Sequence, residues 1–135
     1  RRSQDLCSFF LEANLPFRPP RTSPVRVTYQ DPCVQIRGLG IKKPPRQLLE
    51  KLFGKPPVET YKEGSCCGFG NSFGLTHPDT ANLIREKKLD SIASSGAGML
   101  CTSCTTCLDY LTPGLEQRNI GAAHIIDVAW ENLCH

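Results

Sequence analysis

Eight cysteines in 135 residues carry most of the chemistry open to this chain. They stand at Cys7, Cys33, Cys66, Cys67, Cys101, Cys104, Cys107 and Cys134. The middle ones form a frame: Cys33, then thirty-two residues, the adjacent pair Cys66-Cys67, then thirty-six residues and Cys104-Thr-Thr-Cys107. A Cys-x-x-Cys that opens a helix turns both sulfurs toward one ion, and the helix N-terminus favours the thiolate that metals bind. Adjacent cysteines rarely bridge to each other, because the ring they would close is strained. The Gly-Phe-Gly after Cys67 lets backbone approach a bulky inorganic centre closely.

Several readings of this set compete. A disulfide framework suits small secreted domains with weak cores. This chain is 39% hydrophobic, and its opening residues do not read as a secretory leader. A structural zinc needs four ligands, which Cys-x-x-Cys plus two more cysteines would supply. A thioredoxin-like pair at Cys104 and Cys107 leaves Cys66-Cys67 idle. An iron–sulfur centre uses all five, since several irons each need thiolate. Spacing ranks a metal above none and leaves iron and zinc both open.

Helices and strands must bring these sulfurs together. Asp5 to Asn14 reads as a short helix carrying Leu6, Phe9 and Phe10, followed by a Pro/Arg-rich connector from Pro16 to Pro24. Val25 to Tyr29 is β-rich and ends at the turn signal Asp31-Pro32. Arg37 to Lys43 reads as loop. Pro45 then opens a helix with Leu48, Leu49, Leu52 and Phe53 on one face, stopped by Gly54. Val58 to Tyr61 reads as a second strand. Thr76-His77-Pro78-Asp79 has the wording of a helix start with a Thr cap, and that helix should run to about Ser94 and close at Gly96. Gly98 to Cys101 reads as a third strand, and Cys104 to Leu111 as a helix that Pro113-Gly114 interrupts. Ala122 to Ile126 is the fourth strand, and Val128 to Leu133 a last helix with Trp130 inward.

Strands alternating with helices predict an α/β fold: a mostly parallel four-stranded sheet flanked by helices, in Rossmann-like layering. Loops beyond the carboxyl ends of such strands gather on one rim, so the cysteine loops should converge there. Residues 1–24 form an N-terminal helix and connector, and residues 25–135 the cysteine-rich domain. Residue 1 is Arg and the single methionine is Met99, so the chain reads as the C-terminal part of a longer protein. A net charge of +3, scattered along the chain, argues against nucleic acid. No apolar run approaches the ~18 residues of a membrane-spanning helix.

The frame of Cys33, Cys66-Cys67 and Cys104-x-x-Cys107 has Val27-Thr-Tyr-Gln-Asp-Pro at its head and Gly-Phe-Gly-Asn-Ser-Phe-Gly-Leu-Thr-His-Pro78 in its middle. It resembles the cysteine-rich CCG domain shared by the glycolate oxidase iron–sulfur subunit and heterodisulfide reductase, over about residues 25–130. The resemblance implies a [4Fe–4S] cluster, non-cubane in heterodisulfide reductase, held by Cys33, Cys66, Cys67, Cys104 and Cys107. Zinc is the alternative in an isolated domain. It further implies an upstream ferredoxin-type cluster domain in the same chain, an FAD-containing dehydrogenase subunit as partner, and a cytoplasmic location with peripheral attachment at the inner face of the membrane. The phrasing around Phe73 and His77 leans toward the glycolate oxidase side, with electron relay as the job. Reduction of a disulfide at the cluster is the alternative, as is a zinc-stabilised interaction module. An open apolar cleft above the cysteine rim would favour the disulfide; a centre sealed under Phe69 and Phe73 would favour relay. Val34, Thr105-Thr106 and Asn71 depart from common family wording without removing a thiol.

Cys101 is a further candidate ligand, though a buried strand-end thiol is the simpler reading. Cys7 and Cys134 read as small apolar side chains. His77 reads as a capping or packing residue, with a hydrogen bond to the centre as its functional alternative. His124 reads as structural and His135 as solvated. Arg37, Lys42 and Lys43 either offset the charge of a thiolate centre or simply face solvent.

Overall fold

The computed structural model of the protein describes residues 3–19, 24–61 and 64–134. Three short parallel strands, β1 (Val27–Gln30), β2 (Met99–Thr102) and β3 (Gly121–His124), make one sheet in the order β1-β2-β3. Val27 pairs with Met99 and Met99 with Gly121, and the register runs unbroken to Gln30, Thr102 and His124. Helices α1 (Leu6–Glu12), α2 (Lys43–Phe53), α3 (Phe73–Thr76), α4 (Pro78–Ser94), α5 (Thr105–Glu116) and α6 (Ile125–Glu131) surround it. Successive strand residues point to opposite faces, and each face has its own core. Val27, Tyr29 and Cys101 pack with Leu48, Leu49 and Leu52 of α2, Cys7 of α1, and Ile125, Val128 and Ala129 of α6. Leu100 packs on the other face with Leu89 and Ile92 of α4, Leu111 and Leu115 of α5, and the buried thiols Cys67 and Cys107. Each fully buried Leu or Ile contributes about 1.5–3 kcal/mol relative to exposure. The layered α/β class expected from the sequence is therefore the one observed, with parallel strands between helices.

The sheet has three strands where four were expected. Val58 to Tyr61 supplies only one isolated parallel bridge, Val58 to Thr28. Val58 N–H donates to Val27 O at 2.7 Å and Thr28 Oγ1 donates to Val58 O at 2.6 Å. Two prolines, Pro56-Pro57, precede this bridge and offer no donors to lengthen it. Pro113-Gly114 does not interrupt α5, which continues to Glu116 with Pro113 inside it. Gly114 is buried there, and a Cβ at this position would collide with Leu89 Cδ1, so the glycine permits the close α4–α5 approach. The residue at the start of α4 is His77, not Thr76, and its side chain makes no capping bond. Thr76 Oγ1 instead bonds Ser72 O and His77 Nδ1. Trp130 faces outward, 62% exposed. A π-helical turn, Val34–Gly38, runs into the start of the stretch read as loop after Cys33. Of the connector expected over Pro16 to Pro24, residues 20–23 lie outside the described residues. Phe17 forms an antiparallel bridge with Leu133.

Candidate metal centre

The site is built where β1 and β2 end. Gln30 and Thr102 are the last paired residues, and Thr102 Oγ1 donates to Gln30 O at 3.0 Å, clamping the two strand ends. The same hydroxyl accepts from Cys104 N–H at 3.3 Å, which fixes where the loop beyond β2 turns into α5. Cys104 is the N-cap of that helix, and its Sγ accepts from Cys107 N–H at 3.5 Å. The first turn of α5 thus holds both sulfurs of the Cys-x-x-Cys, as the spacing requires.

The loop beyond β1 is pinned by an ion pair. Arg46 of α2 donates from Nη1 and Nη2 to the two carboxylate oxygens of Asp31, at 2.8 and 2.9 Å. Its Nε reaches Glu59 Oε1 at 2.6 Å and its plane lies over the Tyr29 ring. Asp31 is 2% exposed, so the fork–fork pair is shielded from water. Two residues on, Cys33 opens the π-helical turn, whose Gln35 Oε1 accepts from Ser103 Oγ at 2.8 Å. Tyr29 Oη lies 2.9 Å from the same Ser103 hydroxyl. Ser103 precedes Cys104, so one chain of hydrogen bonds sets the Cys33 turn against the Cys104 loop.

The third arm is the loop from Ser65 to Gly70. Gln30 Nε2 donates to Ser65 O at 3.0 Å and to Asp31 O at 2.9 Å, tying this loop to the end of β1. Gly68 has φ of +104°, and a Cβ there would sit 2.6 Å from Ala81 O; only glycine fits. Its N–H donates to Cys66 Sγ at 3.4 Å.

These arms bring four of the frame thiols into one run, with Cys104 Sγ beside the Cys107 N–H. Cys107 Sγ lies 3.3 Å from Cys67 Sγ. The Cys66 thiol lies close enough to those of Cys67 and Cys33 to interact with both. Cys104 packs against the same cluster. Contact among thiols resists ionisation. The hydrogen bond to Cys67, followed by burial, pushes the Cys66 thiol far up, and Cys67 is raised to about 11, chiefly by its hydrogen bond to Cys107. The raised Cys66 and Cys67 thiols give up their protons readily only when a cation compensates them. All eight cysteines are free, which removes the disulfide framework from this structure. Among the described residues, no three His, Cys, Asp or Glu side chains already ring a single ion position. The bonded thiols run instead as a string from Cys33 through Cys66 and Cys67 to Cys107.

The remaining candidates fall elsewhere. Cys101 is fully buried on the opposite face of the sheet, in the core with Cys7, and burial raises both thiols to about 12. Cys7 is the packed apolar side chain expected, whereas Cys134 is exposed. The His77 ring stacks on Phe73, 5.1 Å between centroids. His124 Nδ1 caps α6, accepting from Ile126 N–H. Arg37, Lys42 and Lys43 are exposed. Phe69 packs against the core cluster that contains Cys67 and Cys107 and tilts on the Tyr110 ring, while Phe73 stacks on His77. A largely apolar cleft of about 540 Å³, bordered by Tyr61, Ser65, Cys66, Ile84 and Lys88, opens beside Cys66. The Cys66 end of the thiol run therefore borders an open cleft. Lys88, a buried cation near the thiols, escapes a reading by motif; its signal is periodicity, since it shares a face with Ala81, Leu89 and Ile92.

Residues 27–112 match the profile of the CCG cysteine-rich domain. The chain belongs to this family. CCG-domain relatives include a CoM/CoB fumarate reductase subunit of Methanothermobacter marburgensis, 33% identical over 77% of this chain and 21% of the relative. "Lactate utilization protein A" of an Exiguobacterium species is 33% identical over 82% of this chain and 46% of its own length. The "Probable glycolate oxidase iron-sulfur subunit" of Bacillus subtilis is 27% identical over 84% of this chain and 26% of its own. The CCG domain here therefore spans less than half the length of each of these relatives. Among its described residues, no helix is long and apolar enough to cross a membrane.

Proposed function

We propose that this CCG domain binds an iron–sulfur cluster and relays electrons within the iron–sulfur subunit of a complex oxidising a 2-hydroxy acid of the glycolate or lactate type. The observation that supports the reading is the run of thiols Cys33, Cys66, Cys67 and Cys107, with Cys104 capping α5 beside Cys107, near the carboxyl ends of β1 and β2. Five thiols exceed the four ligands of a tetrahedral zinc, and a string of four with Cys104 beside Cys107 suits a centre with several metal atoms. The fifth sulfur is the donor count that a non-cubane [4Fe–4S] cluster would use. Such a cluster, when bound, takes up and returns single electrons. The chain's own residues do the rest. Backbone N–H groups of Gly68 and Cys107 donate to Cys66 and Cys104 sulfurs, which spreads negative charge and tunes potential. The Phe69–Tyr110 ring pair lies on the core cluster that holds Cys67 and Cys107. The FAD-containing dehydrogenase subunit and a ferredoxin-type cluster domain upstream in the same chain are the partners this role requires. The location we propose with them is the cytoplasm, at the inner face of the membrane.

A second reading rests on the cleft beside Cys66, which is wide enough to admit a small disulfide to the centre. Anaerobic reconstitution with iron and sulfide tests the first reading. A brown protein with broad visible absorbance and about four iron atoms per chain is expected. Serine at any of the five frame positions should bleach it, and Cys7→Ser or Cys134→Ser should not. A colourless chain holding one zinc overturns it. Reoxidation of the dithionite-reduced protein by a small disulfide, blocked by Tyr61→Trp, would transfer the weight to the second.

A further inference from the structure

The thiol cluster has a buried neighbour of opposite charge. Lys88 is 4% exposed, held between α4 and the loop that carries Cys66. Its Nζ donates to Thr60 Oγ1 at 3.3 Å and to Ser65 Oγ at 3.2 Å. Both partners are neutral hydroxyls, and a buried ammonium so placed is costly without an anion nearby. Burial accordingly pulls its pKa down, against the negative influence of Asp31, Cys107, Cys67 and Glu59. Asp31 is already in a two-bond pair with Arg46. Glu59 is bonded to the same arginine, and its side chain is 45% exposed to screening water. Asp31 is the largest of these influences, and the sulfurs of Cys107 and Cys67 come next, as anions only when a bound centre holds them as thiolates. Ser65, which holds Nζ, adjoins Cys66 and is itself held by Gln30.

We propose that Lys88 is the internal counter-ion of the cysteine centre, a positioning residue whose fixed charge favours the form carrying the extra electron. This rests on the cluster reading above. In the step concerned, the centre gains one electron from the reductant; Lys88 keeps its proton and no bond is made or broken. Replacing the ammonium by an uncharged group should therefore make the centre harder to reduce. It should also relieve the metal-free protein of an uncompensated buried charge.

Two measurements on the whole chain test this. The first is an optical redox titration, with dithionite, of anaerobically reconstituted wild type, Lys88→Met, Lys88→Gln and Lys88→Arg. Met and Gln should lower the reduced-to-oxidised ratio at fixed potential at least tenfold, about 59 mV for a one-electron couple, and Arg should restore most of it. The second is urea unfolding of the same proteins without metal. There Lys88→Met should be at least as stable as wild type, while its iron-loaded form bleaches earlier. A purely packing role would weaken both forms and leave the potential unmoved, and that result overturns the proposal. Wild type that takes up no iron defeats the cluster reading itself, a different outcome from a brown wild type and a brown Lys88→Met of equal potential.

Discussion

Removing the Arg46 guanidinium is the sharpest structural perturbation this fold offers, and Arg46→Met does so with little change in aliphatic volume. Asp31 would lose two charge-assisted bonds of 2.8 and 2.9 Å while remaining 2% exposed. Such bonds are worth about 1.5–3 kcal/mol each, and breaking one partner of a buried pair costs about 3–5 kcal/mol in all. Glu59, 45% exposed on its side chain, resolvates and adds little. A loss of about 4 kcal/mol is a large share of the ~5–15 kcal/mol that stabilises a domain. With a urea slope of about 2 kcal/mol/M, the midpoint by far-UV circular dichroism should fall about 2 M. Because Asp31 leads into the Cys33 turn, metal content after reconstitution should fall as well. Arg46→Lys keeps the charge but not the fork, and should recover only part of either loss. In an Asp31→Asn background, Arg46→Met should cost much less. Equal losses in the two backgrounds, or a drop below about 1 kcal/mol in the first, would refute the buried-pair account.

Other consequences can be measured on the same protein. Gly68→Ala forces a Cβ to 2.6 Å from Ala81 O at φ of +104°. It should cost roughly 1–3 kcal/mol and deplete bound metal, whereas Gly38→Ala, with open space around it, should leave both unchanged. Gly114→Ala runs into Leu89 Cδ1; thermal unfolding should show a loss of about 1–3 kcal/mol, with the cysteine site intact. Cys7 and Cys101 have folded-state pKa values of about 12 against an ordinary 9.0. For a group raised on folding, the stabilisation is complete below the unfolded value and lost as pH climbs toward the folded one. Each thiol should thus forfeit about 1.4 kcal/mol between pH 7 and 10. Cys7→Ala/Cys101→Ala should flatten that alkaline decline in urea midpoint, and an unchanged slope would count against the assignment.

Local chemistry and periodicity made much of this molecule readable in advance. The apolar face of Leu48, Leu49 and Leu52 and the stop at Gly54 describe α2 well, since a helix face and a left-handed cap are short-range signals. The parallel pairing of β1 and β2 followed from strand–helix alternation. The failures share one cause, tertiary context overriding local preference. Pro113-Gly114 looks like an ending, but packing against Leu89 carries α5 through it. Val58 to Tyr61 alternates like a strand, yet only Val58 finds a partner. Trp130 reads as core by type and lies outside because Ile125, Val128 and Ala129 already fill the face α6 buries. At the site, spacing identified which cysteines could meet; the Arg46–Asp31 pair and the Tyr29–Ser103–Gln35 relay that hold them depend on contacts no local pattern encodes.

The Thr102–Gln30 clamp joins residues 72 positions apart. Contacts so remote along the backbone close slowly, after helices and nearby turns have formed. The clamp requires β1 and β2 to be paired already, so the Cys104 turn that it fixes is set only in the assembled sheet.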